Sequence, residues 1–231
     1  ASTLLISPPR AEDEHEEDAL TANKKRNATT PLPPLRARAT PAKSAPWVVP
    51  ISEATRLIIQ RKTGQEYLTS EDLPDKLSLY GCNDLVDVSA LGHVRKLDLA
   101  WCSEITDVSA LGAVEDLDLS HCRVTDVSAL CDVKRLNLSN CTGVVDVSAL
   151  GGVQELDLTG CKNVTDVSAL GGVKKLSLAE CSGITDVSAL GGVKKLNLTG
   201  CHGITDVSAL GAVEKLNLFR CSGVTDVSAL G

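Results

Sequence analysis

Aromatic residues are scarce: two Trp, two Tyr and one Phe make up 2% of 231 residues. A globular domain of this length recruits more of them, so any core here must be built from Leu, Val, Ile and Ala in thin layers. Cations do not outnumber carboxylates, and the formal charge is -7. That argues against a nucleic-acid binder, which presents a basic stripe. No apolar run approaches the roughly 20 residues needed to cross a bilayer. The opening ASTLLISPPR has neither the basic start nor the apolar core of a secretory signal. A G-x-x-x-x-G-K-[S/T] phosphate loop is missing, and so are the C-x-x-C pairs of tetrahedral metal sites. The chain is therefore expected to be no enzyme and to hold no cofactor or metal.

What the chain has is one phrase, repeated. Leu-x-Leu pairs begin at Leu77, Leu97, Leu117, Leu136, Leu156, Leu176, Leu196 and Leu216. The step is twenty residues throughout except between Leu117 and Leu136, where it is nineteen. A fixed period in this range marks a solenoid. Each unit reads close to V-x-x-L-x-L-x-x-C-x-x-[I/V]-T-D-V-S-A-L-G-x. The V-x-x-L-x-L part alternates apolar and polar, as a half-buried strand does. T-D-V-S-A-L tightens into a turn, and the glycine that usually follows releases the chain into the next strand. One strand per coil gives a parallel ribbon, about 34 Å long for eight strands at about 4.8 Å each.

Three stretches follow from this. Residues 1–46 carry an acidic block (Glu12 to Asp18), a basic cluster (Lys24, Lys25, Arg26) and a Pro/Ala/Arg segment, a composition expected to stay disordered. PLPPLRAR within it has the form of a polyproline ligand, although a flexible tail is the simpler reading. Residues 47–76 are expected to form an N-terminal cap. A helix is capped by Ser52, runs to about Lys62 and stops at Gly64, with Ile51, Ala54, Leu57 and Ile58 as its apolar face and Trp47 and Tyr67 packed nearby. Residues 77–231 are the repeats, the last one cut short.

L-x-x-L-x-L-x-x-[N/C]-x-x-[I/V] resembles the leucine-rich repeat family. C-x-x-I-T-D, as in Cys201–Asp206, resembles its cysteine-containing subclass, and T-D-V-S-A-L-G resembles the short internalin-like repeats. The resemblance implies an α/β solenoid: a right-handed superhelix with a parallel β-sheet on the concave face and short turns or 3₁₀ helices on the convex face. A twenty-residue unit leaves no room for a full convex helix. The resemblance also implies a protein partner bound on the concave sheet. Two rivals stand beside it: the substrate-recognition subunit of an F-box-type ubiquitin ligase, and an extracellular adhesion protein of the internalin kind.

The repeated positions read as structure. Val94, Leu97, Leu99, Ile105, Val108 and Leu111 are one coil's share of the core. Eight cysteines from Cys82 to Cys221 form a column of buried thiols bonded to carbonyls, in preference to a metal ladder or disulfides. An unpaired row of thiols favours a reducing compartment, cytoplasmic or nuclear. Cys131, the ninth, replaces a glycine and is the candidate exposed thiol. The aspartates of T-D-V-S (Asp87 to Asp226) are expected to cap the turn that follows them.

The variable positions carry the candidate site. Between the two leucines runs a polar stripe that includes Asp98 and Asp118, flanked by Lys96, Arg135, Lys175, Lys195 and Lys215 and interrupted by Asp116 and Glu155. Mixed signs suit a protein surface. The last two outward positions of the strands carry Tyr80, Trp101 and His121, which come from successive coils and are expected to be near neighbours, and Phe219 and Arg220 at the far end. Aromatics and Arg anchor interfaces; the same residues could also merely cover the edge of the sheet. His121 beside Ser120 and Asp118 does not make a triad, because neighbouring strand residues point to opposite faces. The final coil, lacking a polar cover, is expected to fray or to self-associate.

Overall fold

The computed structural model describes residues 49–230. The tail expected over 1–46, its PLPPLRAR segment and Trp47 lie outside them. The strands are short and regular: β1 Lys76–Ser78, β2 Lys96–Asp98, β3 Asp116–Asp118, β4 Arg135–Asn137, β5 Glu155–Asp157, β6 Lys175–Ser177, β7 Lys195–Asn197 and β8 Lys215–Asn217. They form one parallel sheet in sequence order, with Leu77, Leu97 and every later first leucine paired across each step. The nineteen-residue coil leaves the register intact. Its deletion falls in the Cys122–Val124 turn, which is one residue shorter than Cys102–Ile105. Opposite the sheet, each Ser-Ala-Leu forms a 3₁₀ turn, as at Ser109–Leu111 and Ser168–Gly172.

One continuous core runs the length of the ribbon. Val94, Leu97, Leu99, Ile105, Val108 and Leu111 are all buried, and so are their equivalents in the third to seventh coils. Coils sit close enough that side chains are excluded at the glycine after each leucine. A Cβ built at Gly112, Gly151 or Gly171 would lie 2.4 Å from an alanine carbonyl oxygen of the next coil. Cys131 occupies the matching place in the shortened coil and is exposed.

The eight aspartates after each threonine (or its substitute) do what the sequence suggests. Oδ1 of each accepts the backbone N–H of the serine two residues on, at 2.8–3.0 Å. Hydrogen bonds from that serine hold every one of these carboxyls below the usual range. A carboxylate with a lowered folded pKa stabilises the fold fully above its unfolded pKa, about 3.9, and loses that contribution as pH falls through the folded value. Thermal stability is thus expected to hold from neutral pH to about pH 4 and to fall below it. The combined change Asp146→Asn, Asp166→Asn and Asp186→Asn keeps an acceptor oxygen but nothing to titrate, so it should flatten the acid limb of Tm against pH. An unchanged acid limb would refute this assignment.

Helix α1, Glu53–Thr63, is capped by Ser52, whose Oγ accepts the Thr55 N–H, and ends at Gly64 in the left-handed region at φ 73°. Its buried face is Thr55, Ile58 and Ile59 rather than the expected Ala54 and Leu57; Leu57 is 56% exposed. The rotation has a cause: Thr55 Oγ1 donates to the Asp87 carbonyl at 2.8 Å, which turns that side of the helix onto coil 1. Arg61 forks onto Asp84 at 2.8 and 3.0 Å, and Lys62 Nζ donates to the Tyr80 carbonyl at 2.7 Å. Ile51, Ile58 and Ile59 belong to the same buried cluster as Leu77 and Leu79, with Tyr67 packed against it. At the other end Leu216, Leu218 and Val224 are only partly buried and Val227 is exposed.

Candidate functional site

The face of the sheet away from the core is an open trough of about 1100 Å³, lined by the three residues of every strand. The stripe between the leucines faces into it and is tied down. Asp98 Oδ1 accepts the Ala100 N–H and its Oδ2 accepts the Ser78 hydroxyl; Asp118 does the same with the Ser120 N–H and the Asn137 amide. The two aspartates of the candidate site are therefore half-buried clamps on the strand ends as well as surface groups.

Beside the stripe, the first residues of β2 to β6 alternate in sign: Lys96, Asp116, Arg135, Glu155, Lys175. Lys96 and Arg135 both reach Asp116, and Lys175 reaches Glu155 at 2.6 Å. Burial pushes the Asp116 carboxyl up, but hydrogen bonds from Arg135 and Lys96 outweigh it and leave the pKa lowered. Its Oδ1 contacts Arg135 Nε in an ion pair without the alignment of a hydrogen bond. One column further out, Glu115 is held at about 2 by Arg95 and Lys134.

Tyr80, Trp101, His121, Phe219 and Arg220 lie outside the trough. The strands end two to three residues before them, and the chain turns off the sheet there. Trp101 and His121 share a column in which every coil takes positive φ: Gly81, Gly160 and Gly200, but also Trp101 at 64°, His121 at 60°, Asn140, Glu180 and Arg220. A left-handed backbone costs a non-glycine residue about 1–2 kcal/mol, so the five side chains are carried against a local penalty. Trp101 and His121 stack, ring centroids 3.8 Å apart and 16° from parallel. His121 Nε2 also meets the Asn140 amide at 3.3 Å. Asp118 is spent on Ser120 and Asn137, and so does not orient the imidazole.

Tyr80 stands one position earlier on its coil than Trp101 does, in the column of Ala100, Ser120 and Phe219, and is not part of the stack. Ala100, Ser120 and Ala179 are buried there. The middle coils carry only small residues at this position, and the two rings, Tyr80 and Phe219, both exposed, occur in the first and last coils. The expectation that Tyr80, Trp101 and His121 form one cluster on outward strand positions is corrected accordingly. The sequence carries a sign of the left-handed column, since three of its eight members are glycine and one is asparagine, but the strand pattern of the coil runs on over it. Arg220 lies over the Phe219 ring, 5.2 Å from its centre.

The thiol column is a ladder of hydrogen bonds. Each Sγ from Cys102 to Cys221 donates to the carbonyl of the second leucine of the preceding coil, at 2.9–3.2 Å. All nine cysteines are free. Burial pushes the thiols of Cys122, Cys141, Cys161 and Cys181 up to about 12, and those of Cys102 and Cys201 to about 11. Such thiols carry almost no thiolate at neutral pH and do not exchange. The column therefore loses its force as a marker of a reducing compartment, and with it goes the main ground for expecting a cytoplasmic protein.

A parallel sheet of one strand per coil, with a leucine ladder on one side and 3₁₀ turns opposite, defines a leucine-rich repeat solenoid. The model of the leucine-rich repeat matches residues 93–111 and 114–131. The crystal structure of internalin C2 from Listeria monocytogenes str. 4b F2365 is similar over 82% of this chain and 95% of that one, at 20% identity and a TM-score of 0.50. An internalin, inlF, of the same strain matches over 77% of each chain at 19% identity and a TM-score of 0.42. The functional domain of InlJ from Listeria monocytogenes, described as including a cysteine ladder, matches over 55% of this chain and 35% of that one, at 22% identity and a TM-score of 0.38. At these identities the likeness is one of fold. No curated protein sequence matches the chain. Among the described residues, no helix is long and apolar enough to cross a membrane.

Proposed function

We propose that the chain is a non-enzymatic interaction module that holds a protein partner against the open face of its sheet. The observation that carries this is the uncovered trough. Parallel sheets are ordinarily covered on both faces, whereas here all eight strands present one face to solvent among the described residues. That face is polar and of mixed sign, as rims and contact surfaces of proteins are. The turn beside it supplies groups that anchor contacts: Trp101 is 50% exposed and Phe219 63%. In this reading Asp98 and Asp118 meet the partner from the trough, while Tyr80, Trp101, His121, Phe219 and Arg220 meet it from the edge. A side chain kept at positive φ against a local penalty is a mark of function when other coils use glycine. Internalins share the fold, and an adhesive role outside the cell fits inert buried thiols as well as an intracellular one does. The part-exposed leucines of coil 8 give the 231-residue chain a second surface, through which it would self-associate at high concentration.

The test is affinity capture followed by direct binding of the purified captured protein to three forms of the full chain. These are the unaltered sequence, Tyr80→Ala/Trp101→Ala on the edge, and Ser177→Arg, which places a long side chain in the trough. Circular dichroism checks that each is folded. Loss of binding in Ser177→Arg supports the trough, and loss in the double variant adds the edge. Full binding by both would overturn the reading.

A further inference from the structure

The trough is not uniform along its length. Strands β1–β5 contribute five carboxylates and three cations to its lining, whereas β6–β8 contribute Lys175, Lys195 and Lys215 and no carboxylate. The break falls in the column that alternates in sign up to Lys175. From there Lys175 pairs across the sheet with Lys195, and Lys195 with Lys215. Like charges directly opposite on neighbouring strands destabilise a sheet. Lys175 is compensated by Glu155, but Lys195 and Lys215 meet no carboxylate among the described residues. The adjacent column adds Lys174 and Lys194 against a single Glu214, 3.5 Å from Lys194. The stripe beside the lysines, Ser177, Asn197 and Asn217, is neutral where β2, β3 and β5 carry aspartate. Folding alone gives no reason for this run, since continued alternation would stabilise the same strands.

Resting on the reading of the open face as a protein-binding surface, we propose that β6–β8 seat an acidic segment of the partner protein, its carboxylates continuing the alternation that stops at Lys175. Phe219 and Arg220 stand on the turn of the same end and give that segment an apolar and a cationic neighbour. A nucleic acid fits less well: a phosphate backbone following the trough would run onto the five carboxylates of β1–β5. The partner segment is therefore acidic over a short stretch and neutral or basic beyond it.

Fluorescence anisotropy on the full chain tests this with a labelled octaglutamate peptide, an octalysine peptide and a single-stranded DNA oligonucleotide. Octaglutamate should bind at low salt and be released as salt rises. Lys195→Glu/Lys215→Glu should weaken it by about tenfold or more, while Lys76→Glu, the same substitution on the far strand, should change it less than about twofold. Absence of octaglutamate binding overturns the proposal. So does equal weakening by Lys76→Glu, or DNA binding as tight as that of the peptide. If the acidic probe fails while Ser177→Arg still abolishes binding of the captured protein, the interaction module stands and only the acidic partner is lost. If both fail, the trough is not the contact surface.

Discussion

Raising the pH from 8 to 9.5 is expected to remove a large share of this chain's stability, and the thiol column is the cause. Six buried thiols are held at about 11 or 12 by burial, whereas an unfolded cysteine ionises near about 8.5. A folded pKa raised above the unfolded one gives stability that is complete below the unfolded value. It is lost as pH climbs toward the folded value, because only the unfolded chain releases its protons. Above about pH 8.5 each thiol therefore costs about 1 kcal/mol per pH unit. Six acting together weigh heavily against a total of about 5–15 kcal/mol. The window from 8 to 9.5 lies below the bulk titration of Lys and Tyr, near about 10, so urea midpoints measured across it report mainly on cysteine. The variant Cys141→Ala/Cys161→Ala/Cys181→Ala, less stable at pH 7, should show a slope about half as steep. Equal slopes would show that the thiols are not buried as described. The same burial predicts that a maleimide at pH 7 labels Cys131, the exposed ninth thiol, and reaches the others only after denaturation. Cys82 and Cys221, in the end coils, should be the first of the eight to follow.

The thiol ladder was legible because its period and its chemistry agree. A residue recurring every twenty positions, small and apolar, has to lie in the core, and the structure adds only which carbonyl it meets. The leucine ladder, the parallel register and the aspartate-capped turns were readable for the same reason: eight copies of one solution leave one packing that satisfies all of them. Where copies differ, the sequence became ambiguous. Strand alternation continued past Leu99 puts Trp101 on the sheet, whereas a left-handed backbone turns it off. Tyr80 is exposed as its outward position implies, but it stands in the column of Ala100 and Ser120, which are buried, and not in the column of Trp101. In α1, helical periodicity did not distinguish Ala54 and Leu57 from Thr55 and Ile59 as the inward face. The choice is made by a hydrogen bond to Asp87, thirty-two residues away. The flanking charges were visible as a list, but their alternation and its break at Lys195 depend on which residues pair across strands.

Leu158→Ala should be the most damaging single truncation in the chain and Leu218→Ala among the mildest of its column, although the two leucines occupy the same place in the repeat. Leu158 is fully buried, and removing three carbons from such a site costs about 2–5 kcal/mol in lost transfer energy and cavity. Leu218 is only partly buried, so its truncation leaves a smaller cavity and should cost well under half as much. In a solenoid the difference is amplified. Stability is a sum of coil and nearest-neighbour interface terms, and a defect in coil 5 weakens the interfaces with coils 4 and 6 together. It also divides the array into two pieces of similar length. Leu158→Ala is thus expected to broaden denaturant unfolding or split it in two, with a lower midpoint, whereas Leu218→Ala should leave the transition single and nearly in place. Hydrogen exchange gives the residue-level counterpart: amides of β8 exchange faster than those of β5 in the unaltered chain, and Leu158→Ala brings β4 to β6 toward the β8 rate. Equal losses from the two substitutions would mean that coil 8 is as well covered as coil 5, contrary to its exposed Val227 and half-buried Leu216.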